Sequence, residues 1–126
     1  MFNNYQMINV YTREQALSDG LLIDVTETAK EAGIRIPVAI TAAVWNEIII
    51  PDEVSKDLGQ DEKGRLWDVL WMYYSAVRNS KDGGSHLNYQ LYVVIQGSLT
   101  LVTLKGSILP GDSGEPVVTI QLPNED

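Results

Sequence analysis

The sequence contains no cysteine and a single histidine, His86. The lack of cysteine excludes disulfide bonds, thiolate metal sites and cysteine nucleophiles, and it favours a reducing compartment such as the cytoplasm. One histidine cannot form a two-histidine metal site, and a general base at this position would need a nucleophilic partner that no sequence spacing supplies. The sequence therefore provides no catalytic residue, no metal site and no cofactor site, and it favours a protein that is not an enzyme.

Long apolar segments are also missing. The longest, Ile48–Ile50 and Val93–Ile95, are far too short to span a bilayer. Residues 1–6 lack the basic and apolar regions of a secretory leader. The formal net charge is −8, and the nine basic residues are scattered, so they form no stripe that could neutralise adjacent phosphates. We expect a soluble protein that binds neither membranes nor nucleic acid.

The pattern of the remaining residues predicts one α+β domain over residues 1–126. Capping signals and breakers indicate short helices at 12–18, 27–32 and 42–49, with strand-like pieces at 21–25 and 34–36 between them. The C-terminal part alternates as three strands, at 87–95, 99–108 and 117–122. The expected architecture has N-terminal helices and one long tryptophan-bearing helix packed on a C-terminal antiparallel β-meander of about three strands.

The long helix is predicted over residues 61–79. Its core face is formed by residues at helical spacing: Leu66, Val69, Leu70, Tyr73 and Val77. A second row beside it contains Trp67, Trp71 and Tyr74. We interpret that row as packed on the sheet or the other helices, so that Trp71→Ala costs about 3–5 kcal/mol of stability. If Asp68 is buried, Arg65 three residues earlier can pair with it. The alternative is an exposed row that binds a partner, with Arg65, Trp67, Asp68, Trp71 and Tyr74 as the binding residues.

Acidic residues are concentrated in the segment 47–62, which contains six of them: Glu47, Asp52, Glu53, Asp57, Asp61 and Glu62. The ordinary interpretation is a solvated face that keeps the protein soluble. A sharper alternative is an acidic surface that imitates DNA and inhibits a restriction or defence enzyme. A small hydrolase that uses carboxylates such as Asp68, Asp24 or Glu47 is a third alternative.

The segment Gly111-Asp112-Ser113-Gly114 is similar to the nucleophile motif of trypsin-like serine proteases. Glu115 stands where that family has a second glycine. Val44 follows Thr41-Ala42-Ala43 at the position of the family's histidine. We therefore expect a glycine-rich turn between two strands, in which Ser113 is not a nucleophile.

Three segments of the chain resemble a bacterial family of small proteins of unknown function found on plasmids, phages and integrated mobile elements. They are Ser18–Gly33, the helix segment Gly64–Met72 and the ending Gly114–Asp126. The resemblance extends from about Tyr11 to the C-terminus. It implies a bacterial cytosolic protein, an accessory of a mobile element, and it assigns no catalytic or binding residue.

Small size, acidity and an aromatic helix row together favour a non-catalytic protein-binding module. The partner is unknown, and a homodimer is one hypothesis. The final strand, 117–122, is expected at a sheet edge, where its unpaired backbone groups could pair with a second chain.

Overall fold

The computed structural model describes residues 11–125, and these residues form an α+β structure. The helices are α1 (Arg13–Ser18), α2 (Thr26–Glu31), α3 (Ala42–Val44), α4 (Glu53–Asp57) and α5 (Glu62–Arg78), and α3 continues into a π-helical turn, Trp45–Ile49. The strands are β1 (Leu22–Asp24), β2 (Val38–Thr41), β3 (His86–Ile95), β4 (Ser98–Pro110) and β5 (Pro116–Gln121). The expectation of no leader concerned residues 1–6, which lie outside the described residues.

Local sequence signals explain where the helices begin. The Thr12 hydroxyl accepts a hydrogen bond from the Gln15 N–H, and the Gln15 side-chain oxygen accepts one from the Thr12 N–H. The two bonds form a capping box. Asp52 and Asp61 are the N-caps of α4 and α5, and their side chains accept hydrogen bonds from the Ser55 and Gly64 N–H groups. Within the described residues, no helix is both long enough and apolar enough to cross a membrane.

The sheet has five strands in the order β1-β2-β5-β4-β3. Strand β2 pairs parallel to β5, and the other neighbours pair antiparallel, so the sheet is mixed. The prediction of a three-stranded antiparallel meander is therefore wrong. The first half of the chain adds two strands that the sequence pattern did not place in the same sheet. The segment 34–36 is not a strand, because Pro37 ends it and β2 begins after the proline.

The position of β5 also corrects an expectation. This strand lies between β2 and β4 and pairs with both, so it is not an edge strand. Of the described strands, β1 and β3 form the two edges. Any pairing of the sheet with another chain would therefore involve β1 or β3.

The core lies on one face of the sheet, beneath α2, α5 and the π-helical turn. The alternation of the strands places Leu91 and Val93 of β3, Leu104 of β4, and Ile120 of β5 on this face. Helix α5 contributes Val69, Leu70 and Tyr73, each 1% exposed or less. The core face that the sequence predicted for the long helix is thus the face that packs on the sheet.

One acidic group fixes the end of the β3–β4 hairpin against α4. Asp52 accepts bonds of 2.9 Å from Ser55 N and from Gln96 N, which lies in the hairpin turn. These backbone bonds from Gln96 and Ser55 hold the pKa of the Asp52 carboxyl below its ordinary value. The ionised form of Asp52 is therefore the form that stabilises the fold.

We expect acid to weaken the fold through Asp52. Because its folded pKa is lower than its unfolded pKa, its stabilisation is complete above the unfolded value and is lost as pH falls through the folded value, below about pH 4. The measurement is urea unfolding at several pH values. Asp52→Asn should lose stability less steeply than the wild type between neutral and acid pH, and Asp57→Asn controls for the change in net charge. Parallel pH profiles for Asp52→Asn and the wild type would contradict this role.

Candidate binding surface

The second row of α5 is exposed. Trp67 and Trp71 are 36% and 42% exposed, and Tyr74 is half-buried. The prediction that the two tryptophans are buried is therefore wrong. Successive helix positions are about 100° apart, so the row lies on the flank of the helix relative to Leu66, Leu70 and Tyr73. Helix α5 packs on the edge strand β3, and no further described strand extends the sheet on that side.

The exposed aromatic rings stack on one another along the helix. The ring centroids of Trp67 and Trp71 are 5.4 Å apart with an interplanar angle of 15°. Tyr74 follows at 5.7 Å from Trp71, and the Arg78 guanidinium lies 5.7 Å from the Tyr74 ring centroid. Such contacts favour one arrangement of the side chains. We call these four residues the aromatic ladder.

A groove lies beside the aromatic ladder, between α5 and the free edge of β3. Its volume is about 370 Å³, within the range of small binding pockets. It is lined by three residues of α5, three of β3 and one of β4: Asp68, Trp71, Met72, Gln90, Leu91, Tyr92 and Leu101. Partial burial raises the pKa of the Asp68 carboxyl. We call this cavity the edge groove.

The apolar surface continues over the edge onto the outer face of the sheet. Tyr92 and Leu101 are cross-strand partners and are 63% and 50% exposed. Leu99, the partner of Val94, is 68% exposed. The long helix packs on the opposite face of the sheet, so these side chains remain exposed next to the edge groove.

Arg65 and Asp68 do not form the predicted pair. Arg65 is 5% exposed, and its Nη1 donates to the Ile48 carbonyl at 3.1 Å while its Nη2 donates to the Val94 carbonyl. Burial lowers the pKa of this guanidinium, and the Asp52 carboxylate acts in the opposite direction. Asp68 is exposed and faces the edge groove. Arg65 thus joins the π-helical turn to β3 inside the protein. The other four candidate binding residues, Trp67, Asp68, Trp71 and Tyr74, lie on the outer side of α5.

The carboxylates considered for hydrolysis are not brought together. Asp68 lines the edge groove, Asp24 lines a cavity beside Trp45, and Glu47 lines a third beside Asp52. Among residues 11–125, no group of three acidic or histidine side chains is placed to hold a metal ion. Asp68, Asp24 and Glu47 therefore line three different cavities and form no pair with one another.

The serine-protease-like segment has a structural role that the sequence did not reveal. Asp112 lies in the connection between β4 and β5. Its carboxylate accepts hydrogen bonds from the Arg13 and Glu14 N–H groups, at 2.9 and 3.0 Å, and so satisfies two free N–H groups in the first turn of α1. The Ser113 N–H donates to the Glu115 carboxylate at 3.1 Å. Through Asp112, the loop therefore anchors α1 to the sheet.

His86, the single histidine of the sequence, lies outside this loop. Its ring is hydrogen-bonded to Ser107 at 3.2 Å.

A comparison with protein families identifies the chain. One family model matches residues 1–126, the whole sequence, and its description is a family of unknown function. The chain belongs to the DUF6573 family. No curated protein and no solved structure matches it. DUF6573 membership assigns no role to any residue, so the function of this member has to be inferred from its own surface.

We expect Trp71→Ala to cost about 1 kcal/mol of stability or less. The Trp71 ring stacks on Trp67, lies beside Tyr74 and is 42% exposed, and it is not among the buried residues of the core, so its removal leaves no cavity there. The adjacent Leu70 is 0% exposed and is the matched control, with an expected loss of about 2–5 kcal/mol for Leu70→Ala. Chemical denaturation measures both. Equal losses for the two variants would show that Trp71 belongs to the core.

Proposed function

We propose that this protein is a non-catalytic protein-binding module that contacts its partner through the aromatic ladder and the edge groove. On the basis of the sequence resemblance, we further propose that it is an accessory protein of a bacterial mobile element that acts in the cytoplasm. The observation that carries the binding proposal is the exposure of two stacked tryptophans beside an apolar groove.

The chemistry of the aromatic ladder supports binding rather than packing. A tryptophan has a large apolar area and few rotatable bonds, so it loses little conformational entropy when a partner covers it. Trp67 and Trp71 are already held by stacking, which lowers the entropy loss further. Tryptophan, tyrosine and arginine are the residues most often found as energetic anchors of protein interfaces, and the ladder contains all three.

Several acidic side chains of the segment 47–62 have a structural role, which favours this explanation of the segment over imitation of DNA. Asp52 and Asp61 accept the capping bonds of α4 and α5, and Glu53 pairs with Lys56 at 3.3 Å. Three of the six acidic side chains of the segment 47–62 thus already have partners within the fold. The net charge of −8 nonetheless selects against polyanions, so the partner surface is expected to be neutral or basic.

The proposal is tested by affinity capture from a lysate of the natural host, with and without nuclease. The test variant is Trp67→Ser/Trp71→Ser. The control is Leu21→Ser, which removes an apolar side chain that is 56% exposed next to β1, at the opposite edge of the sheet. We expect wild type and control to retain the same protein and the double variant to retain about tenfold less. Equal retention by the double variant, or release by nuclease, would contradict the proposal.

A further inference from the structure

The free edge of β3 presents backbone groups that no described strand pairs. Neighbouring residues of an antiparallel strand point their backbone groups alternately toward and away from the paired strand. The Val94 carbonyl accepts from Arg65 and lies 2.9 Å from Ser55 Oγ, so Val94 points away from β4. By the same alternation, Asn88, Gln90 and Tyr92 also point their N–H and C=O groups outward. The Val94 carbonyl is thus already bonded, whereas the outward groups of Asn88, Gln90 and Tyr92 have no hydrogen-bond partner among residues 11–125.

This edge lacks the features that usually prevent a strand from pairing with another chain. Strand β3 has ten residues, and its register with β4 runs without interruption from His86 to Ile95. It contains no Pro and no Asp, Glu, Lys or Arg, although these charged residues make up 21% of the chain. The opposite edge, β1, has three residues. Long, regular and uncharged edges are the ones that accept an additional strand.

The geometry of α5 favours an extended peptide over a second copy of the chain. Paired strands lie about 4.8 Å apart, whereas packed helices need about 8–10 Å between their axes. Helix α5 packs on β3 itself. In a symmetric dimer joined through β3, each α5 would lie beside the joined edges, and two chains of net charge −8 would be brought together. An extended segment brings neither a second helix nor this charge.

The side chains around the edge define the chemistry of that segment. One side of an added strand would face Trp71 and Met72, which are apolar, and the other would lie beside Tyr92 on the outer sheet face. Asp68 is the one charged side chain among the described residues that line the edge groove. A carboxylate at this position in a chain of net charge −8 favours a lysine or arginine in the ligand.

We propose that the protein binds an extended peptide segment of its partner as an added strand along Asn88–Tyr92, with alternating aliphatic residues against Trp71 and Met72 and a basic residue beside Asp68. This inference rests on the proposed function and specifies the partner by its chemistry. Main-chain hydrogen bonds to β3 supply affinity, and the edge groove supplies selectivity for side chains.

The test uses a phage-displayed library of random linear peptides, selected on the wild-type protein. We expect enriched peptides to combine alternating aliphatic residues with a lysine or arginine. Gln90→Pro removes an N–H that no bond of the described fold uses, and edge strands tolerate proline at such positions. It should weaken an enriched peptide at least about tenfold, whereas Gln90→Ala keeps the N–H and should bind within about twofold. Asp68→Lys should weaken the same peptide.

Amide hydrogen exchange on the wild-type protein gives a second readout that does not depend on the proline variant. The N–H groups of Gln90 and Tyr92 should exchange more slowly when the peptide is added. Unchanged exchange at both residues, or equal affinity of Gln90→Pro and Gln90→Ala, would overturn the added-strand geometry. A dimer that Gln90→Pro dissociates would identify a second copy as the occupant and overturn the choice of a peptide. If Gln90→Pro captures the lysate partner normally while Trp67→Ser/Trp71→Ser does not, the added strand is wrong and the proposed function stands.

Discussion

Gly106→Ala is expected to lower the free energy of unfolding by about 3 kcal/mol. A Cβ at this position of β4 would overlap the Cε1 atom of Tyr73 and would lie 2.6 Å from its Cδ1. Tyr73 is 1% exposed, so its ring cannot move outward without opening the core between α5 and the sheet. The backbone of Gly106 is not in the left-handed region, so alanine is excluded here by this ring contact alone.

A double-mutant cycle separates this contact from other causes. In a Tyr73→Leu background the ring is absent, and Gly106→Ala should then cost at least about 1 kcal/mol less than it does in the wild type. Urea denaturation of the four proteins provides the values. Additive losses would show that the effect of Gly106→Ala does not come from Tyr73.

Arg65→Met is expected to cost about 2–3 kcal/mol. Methionine fills a similar volume but cannot donate to the carbonyl groups of Ile48 and Val94, which Arg65 joins across the interior. The buried Ile48 carbonyl would lose this donor, and the Val94 carbonyl would keep only the Ser55 hydroxyl. Loss of a partner for a buried acceptor leaves its desolvation uncompensated, and this is the main term in the expected loss.

The same substitution at the other end of α5 is the matched control. Arg78 is exposed and stacks on the aromatic ladder, so Arg78→Met should change stability by about 0.5 kcal/mol or less. Thermal or urea denaturation compares the two variants. If Arg65→Met were as mild as Arg78→Met, the connection of the π-helical turn to β3 through Arg65 would not contribute to stability.

The parts of the fold that depend on neighbouring residues could be predicted from the sequence. The long helix was expected over 61–79 and runs from Glu62 to Arg78, because its Asp61 cap and its apolar spacing are local signals. The hairpin between β3 and β4 turns at Gln96 and Gly97, both with positive φ, and this turn lies between the strands predicted at 87–95 and 99–108.

The mixed sheet could not be predicted in this way. Its centre is the parallel pairing of Val38–Ile40 with Val118–Ile120, which are far apart in the chain and carry no sequence signal for each other. The short strands β1 and β2 have too few residues for a clear alternation. Without this pairing, the last strand was expected at an edge, although it lies inside the sheet.

The role of the five candidate binding residues stays a prediction. Four of them, Trp67, Asp68, Trp71 and Tyr74, lie on one side of α5. Arg65 was grouped with them because it lies one turn from Asp68, but its guanidinium points into the interior. Whether a helix row lies on the core face or on its flank depends on where the sheet ends, and periodicity alone does not contain that information.

The most direct test of a protein-binding role is site-specific photo-crosslinking in cells of the natural host. A photoreactive amino acid replaces Met72, which is 37% exposed in the edge groove, or Leu21, which is 56% exposed at the opposite edge of the sheet. We expect a discrete crosslinked protein from position 72 that is absent from position 21 and lost in Trp67→Ser/Trp71→Ser. The same crosslinked proteins from both positions, or none from position 72, would contradict it.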